Sequence, residues 1–192
     1  SRSALPARSE MCIRDRDKTK ILVLNSPSNP TGMIYSREEL LAIGNWAVAH
    51  DVLILADDIY GRLVYNGNEF VPISSLSEAI RKQTIVINGV SKAYAMTGWR
   101  VGYAVGNPEI IAAMSKLTGQ TTSNLTAVSQ YATIEALTGP QDSVETMRQA
   151  FEERLNTIYP LLCQVPGFEV VKPQGAFYLF PNVKKAMEMK GY

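Results

Sequence analysis

"VINGVSKAYAMTGWRVGYAVG", residues 86–106, decides the fold. The β-branched run Ile85, Val86, Ile87 stops at Asn88-Gly89, and Ser91-Lys92 follows among Val90, Ala93 and Ala95. A short apolar run closed by a turn signal is the pattern of a buried strand. A lysine at the tip of such a strand, flanked by small apolar residues, keeps part of its stem out of water. Desolvation favours a neutral amine over an ammonium, and a neutral amine is a nucleophile towards carbonyl groups. Arg100, eight residues on, adds a planar donor fork suited to phosphate.

Outward from this stretch, strands alternate with helices. "ILVLNSP" (21–27) and "VLILADD" (52–58) read as two further buried strands, "TIVINGV" (84–90) as the third and "RVGYAVG" (100–106) as a fourth. Between the first two, Ser36 and Glu39 form a capping-box signal, and Leu40, Ile43, Ala47 and Val48 recur at helical spacing. Helices are expected over 108–119 and 125–139, each ending at a glycine, and over 142–165, where Pro160 predicts a kink or break. "FEVVKPQGAFYLFPNV" (168–183) reads as two strands around a turn. The pattern implies an α/β fold with a mostly parallel sheet, followed by the start of a smaller α+β unit near residue 165. Residues 1–19 are expected to be an artefact or a disordered arm; Met11 to Arg16 resembles a translated sequencing adapter.

Net charge is +1, so no global field recruits nucleic acid or an acidic membrane surface. No apolar run is long enough to span a bilayer, and a soluble, cytoplasmic protein is expected. Cys12 and Cys163 make no metal-ligand or redox spacing, so no metal is expected.

In open α/β sheets, ligands bind beyond the carboxyl ends of the strands. Three polar clusters fall there: Asn25 to Gly32, Asp57 to Tyr60, and Asn88 to Lys92. Asp57 ends a buried strand, where a carboxylate needs a cation or strong donors. Tyr60 offers a phenol, and Asn29 offers an amide in a turn fixed by Pro30 and Gly32. A lysine, an aspartate, a phenol, an amide and an arginine together match the needs of pyridoxal 5′-phosphate.

"SNPTG", "ADDIYGRLVY", "SKAYAMTGWRVGY" and "PQGAFYLF" resemble the signatures of class I, fold-type I pyridoxal-phosphate aminotransferases, from about residue 20 to the C-terminus. The resemblance implies that Lys92 forms a Schiff base with the cofactor, that Asp57 pairs with its ring nitrogen, and that Tyr60 and Asn29 hold its ring oxygen. It implies Arg100 at the phosphate. Many relatives carry a serine three residues before the lysine; here that position is Gly89, so Ser91 is named as the phosphate hydroxyl. The implied activity is amino-group transfer between an aspartate-type or aromatic amino acid and a 2-oxo acid, in a homodimer. The resemblance also implies an internal fragment: residues 20–164 would be part of the cofactor-binding domain with its long interdomain helix, and 165–192 the start of a small domain. Such a fragment is expected to be inactive alone and prone to aggregation through open strand edges.

Two rivals stay open: a lyase or synthase of the same fold, and the effector domain of an aminotransferase-like transcription regulator. His50 reads as a surface or capping residue. Asp58 reads as solvated or backbone-bound, and the Met147, Phe151, Leu155, Ile158 stripe as helix packing.

Overall fold

The computed structural model describes residues 18–192, so the expectation for residues 1–19 lies, up to residue 17, outside the described residues. Four strands form one sheet in the order β1-β2-β3-β4: β1 (Ile21–Asn25), β2 (Leu53–Asp57), β3 (Thr84–Gly89) and β4 (Gly102–Val105). The first three are parallel; β4 runs antiparallel to β3. The sheet is therefore mostly parallel, as the pattern predicts.

Parallel neighbours need a crossover. α1 (Arg37–Ala49) supplies the first, and its start is the capping box expected at Ser36 and Glu39. A short 3₁₀ turn (Ile73–Ser75) and α2 (Glu78–Lys82) supply the second. Leu40, Ile43 and Ala47 of α1 pack on Leu22, Leu24, Ile54 and Ala56 of the sheet, with Ile73 and Ile80 closing this core. Strand alternation is clean in β1: Leu22 and Leu24 point into the core, while Ile21 and Val23 are exposed.

Beyond β4 come α3 (Pro108–Thr121), α4 (Ala127–Thr138), α5 (Asp142–Cys163) and α6 (Lys184–Met189). The expected glycine stop holds for α4, whose last turn is capped at Gly139. It fails for α3, which runs through Gly119. There the left-handed residue is Ser123, and the Thr118 carbonyl accepts from both Thr122 and Ser123. α5 likewise continues through Pro160. The carbonyl four residues back, which proline cannot satisfy, belongs to the exposed Asn156, about two turns from the helix end, where water can replace the lost donor.

The segment 168–183 differs most from expectation. It forms no regular strand pair: Glu169 and Asn182 make one isolated bridge within it, and Gly175 makes another with Val64. Pro173 and Pro181 remove two donors, and the intervening N–H groups bond elsewhere: Gln174 and Gly175 to the Gly32 carbonyl, Ala176 to the Leu63 carbonyl. This segment thus laces onto the loops after β1 and β2. Tyr60, Leu63, Tyr65, Leu155 and Ala176 form a second core there, with Met147 and Phe151 of α5 against it. Ile158, the fourth member of the expected stripe, is exposed.

Candidate active site

Asn25, Asp57 and Ile87 stand side by side where β1, β2 and β3 end. Asn25 ties two of the loops together. Its Nδ2 donates to the Asp57 carbonyl at 3.4 Å, and its Oδ1 accepts the Asn29 backbone N–H at 2.7 Å. The half-buried Asp57 accepts the Ile59 N–H on Oδ1 at 3.2 Å, which fixes the carboxylate at the strand end. Among the described residues it forms no ion pair.

Asp58 points the other way across the strand. Contrary to the expectation of a solvated group, only 8% of it is exposed. Burial first, and the charge of Asp57 second, push its carboxyl up to about 7.

Tyr60 follows in a tight turn, in which Gly61 donates to the Asp58 carbonyl and Leu63 to the Tyr60 carbonyl. The residue is buried, and its hydroxyl lies 2.7 Å from that of Tyr178. The Asn29 side chain is a second polar neighbour of that hydroxyl. Burial above all holds its phenol far above the ordinary range, while Asn29 pulls in the opposite direction.

Lys92 sits beyond β3 in a turn closed by the Ala95 N–H on its carbonyl. Val90 and Ala93 beside it are buried, as their types imply, and Lys92 itself is half-buried. Its Nζ lies 5.6 Å from the Tyr60 ring centroid and 5.5 Å from that of Phe177, a cation–π distance in both cases. Lys92, Tyr60, Asn29 and Asp57 are thus gathered at one end of the sheet. Ser91 is half-buried next to Lys92. Arg100 is exposed and donates from Nη1 to the Thr97 carbonyl at 2.8 Å; neither it nor Ser91 hydrogen-bonds the cluster among the described residues.

Gly89 has a steric explanation. A Cβ there would lie 2.7 Å from the Val101 carbonyl oxygen, so no serine fits without moving β4's entry.

The sequence reading missed Phe177 and Tyr178. Both lie within "PQGAFYLF", quoted above as a motif, but Phe177 meets Lys92 and Tyr178 meets Tyr60 across 85 and 118 positions, which leave no local signal.

The family model described as "Aminotransferase class I and II" matches residues 4–190. The chain belongs to this family. Asparagine–oxo-acid transaminase of Streptococcus mutans is 78% identical over 176 residues, 92% of this chain and 45% of that protein. Aspartate aminotransferase of Bacillus sp. YM-2 is 60% identical over the same shares. Among solved structures, the Rhizobium meliloti aspartate aminotransferase matches with a TM-score of 0.84 and 40% identity, over 87% of this chain and 42% of that one. An aromatic aminotransferase from Pyrococcus horikoshii OT3 matches at 0.86 with 34% identity. This aminotransferase-family chain spans about 45% of the length of these curated relatives.

Proposed function

We propose that this chain carries the cofactor-binding part of a pyridoxal-phosphate-dependent aminotransferase that moves an amino group between an amino acid of the aspartate or asparagine type and a 2-oxo acid. One observation carries the reading: the Lys92 amine lies 5.6 Å from the ring of Tyr60, which has the Asn29 side chain as a polar neighbour, at the strand ends that also hold Asp57. Family membership and the names of the S. mutans and Bacillus relatives support the substrate class.

The donor set fits the cofactor. Asp57 is a carboxylate without an ionic partner among the described residues, as a protonated ring nitrogen requires. Tyr60 and Asn29 are neutral donors brought to one point, suited to a ring oxygen. When bound, the cofactor supplies an electron sink for the pair released at the substrate Cα. Lys92 holds the cofactor covalently and, once displaced by substrate, takes and returns the proton at Cα. The Tyr60 and Phe177 rings exclude water from one side of that amine. Arg100 and Ser91 are assigned to the phosphate, residues 165–192 to the beginning of a smaller domain, and a homodimer to the whole enzyme.

Sodium borohydride reduction of the chain with pyridoxal 5′-phosphate, followed by peptide mapping, tests this. The expected result is one adduct, on Lys92, absent in Lys92→Ala and reduced about tenfold in Asp57→Ala, the loss of one charge-assisted contact. Adducts scattered over surface lysines would sink the assignment.

A further inference from the structure

Tyr178 has no role in the reading above, yet its position is closely specified. Its hydroxyl is 2.7 Å from the Tyr60 hydroxyl, and its ring meets the Tyr60 ring edge-on at 5.8 Å and 79°. A phenol has one hydrogen to donate and two lone pairs to accept with. The Tyr60 oxygen already has two protein neighbours, the Asn29 side chain and Tyr178. If Tyr60 donates to Tyr178, its only hydrogen is spent inside the protein. If Tyr178 donates instead, the Tyr60 hydrogen is left free to turn outward. The Tyr178 hydroxyl therefore decides whether Tyr60 can act as a donor.

We propose that Tyr178 is a positioning residue: by donating to the Tyr60 oxygen, it frees and orients the Tyr60 hydrogen for the ring oxygen of the bound cofactor. This rests on the function proposed above. Hydrogen bonds in a chain polarise one another, so the Tyr178 bond also makes Tyr60 the stronger donor.

The backbone around Tyr178 is built to hold it. The Ala176 N–H donates to the Leu63 carbonyl at 2.9 Å, and the buried Tyr65 hydroxyl donates to the Ala176 carbonyl. Phe177 stacks on Phe151 of α5 at 5.3 Å and 24°, which pins the residue next to Tyr178. Other titratable groups facing Tyr60 are Asp57, whose charge opposes ionisation of the phenol, and Lys92 over the ring face. Neither contacts Tyr178 through a hydrogen bond among the described residues, so a Tyr178→Phe change leaves both in place.

Tyr178→Phe removes one oxygen and keeps the ring. Its first readout is the pH titration of the bound cofactor's absorbance. A donor to the ring oxygen draws electrons from the conjugated nitrogen, so weakening it moves the midpoint upward, by about 0.5 pH unit and by less than Tyr60→Phe does. The second readout needs no cofactor: in ¹³Cζ-tyrosine-labelled chain, the Tyr60 signal, recognised by its loss in Tyr60→Phe, titrates at higher pH once the Tyr178 donor is gone. A shift to lower pH would show that Tyr60 was the donor and overturn the role. A Lys92 adduct in both parent and variant with superimposable cofactor titrations overturns the role of Tyr178, whatever the free chain does. An unmoved Tyr60 signal overturns the hydrogen bond itself. Failure to trap any Lys92 adduct in the parent overturns the functional reading and the role together.

Discussion

Gly32 and Pro173 approach so closely that a methyl group on Gly32 would lie 2.5 Å from the Pro173 Cβ and 2.8 Å from the Gly175 carbonyl oxygen. Gly32 also has a φ of +67°, in the left-handed region. Its carbonyl accepts the N–H groups of Gln174 and Gly175, each at 2.9 Å. The turn that carries Asn29 and the segment that carries Tyr178 thus behave as one unit. Gly32→Ala is expected to cost about 2–4 kcal/mol, because backbone and not a flexible side-chain tip must yield. Urea unfolding measures it; a loss below about 0.5 kcal/mol would show that the two segments are not locked together.

Tyr65 gives a second handle on the same lock. It is buried, and its hydroxyl donates to the carbonyl of Ala176, which is itself fully buried. Tyr65→Phe strands that carbonyl without replacing its donor, at a cost of about 1–3 kcal/mol. Because Tyr65 and Gly32 hold the same residues, 174–176, the double variant with Gly32→Ala should lose less than the sum of the two. Strict additivity in urea midpoints would separate them.

The strand ends were legible because each is marked twice, by an apolar run and by a polar cluster after it. α1 was legible because Ser36 and Glu39 satisfy each other's backbone, a strictly local device. What stayed hidden is non-local. Tyr178 reaches Tyr60 across 118 positions, and the reason Gly89 is glycine lies in a backbone carbonyl on β4's approach. The 168–183 segment looks like a hairpin in sequence, since its apolar residues alternate around a turn. Its N–H groups are drawn instead to Gly32 and Leu63, acceptors that no window of neighbouring residues reveals. Asp58 is buried for a related reason: the alternation of β2, carried one residue past its end, sends it to the side opposite Asp57, where it lines a cavity with Tyr94 and Tyr103.

Arg148 of α5 should matter more than its place on a helix surface implies. Its Nη1 donates to the Glu152 carboxylate at 2.8 Å and to the Val64 carbonyl at 3.2 Å, while Nη2 meets Glu145 at 2.8 Å. Glu152 in turn accepts the Asn66 N–H. The network ties α5 to the loop following Tyr60, and its donors hold both carboxyls below their usual range. Arg148→Met keeps the stem and removes the fork. A loss of about 1–2 kcal/mol is expected, above the value for an exposed pair because the Val64 carbonyl also loses its donor. Arg148→Lys should recover only part of this, since one ammonium cannot serve three acceptors in a plane. Full recovery by lysine would reduce the network to simple charge.

Asp58 sets a pH dependence of stability with a definite sign. Its carboxyl is raised from an ordinary 3.8 to about 7 in the folded chain. Arg62 lines the same cavity but spends a donor on Gln141 and lies over the Tyr94 ring, so it does not neutralise Asp58 by an ion pair. A group whose folded affinity for a proton exceeds its unfolded affinity favours folding while both states are protonated. That contribution is complete below pH 3.8 and is lost as pH climbs to about 7, after which the penalty is constant. Its full size is on the order of 4 kcal/mol. Glu145 and Glu152, lowered by Arg148, act in the opposite sense at the acid end, so the parent's own profile mixes both. Comparison with Asp58→Asn isolates the term: the variant should match the parent near pH 4 and exceed it in urea resistance at about pH 8. Equal stability of the two chains at about pH 8 would mean that Asp58 ionises in the folded chain as easily as in the unfolded one.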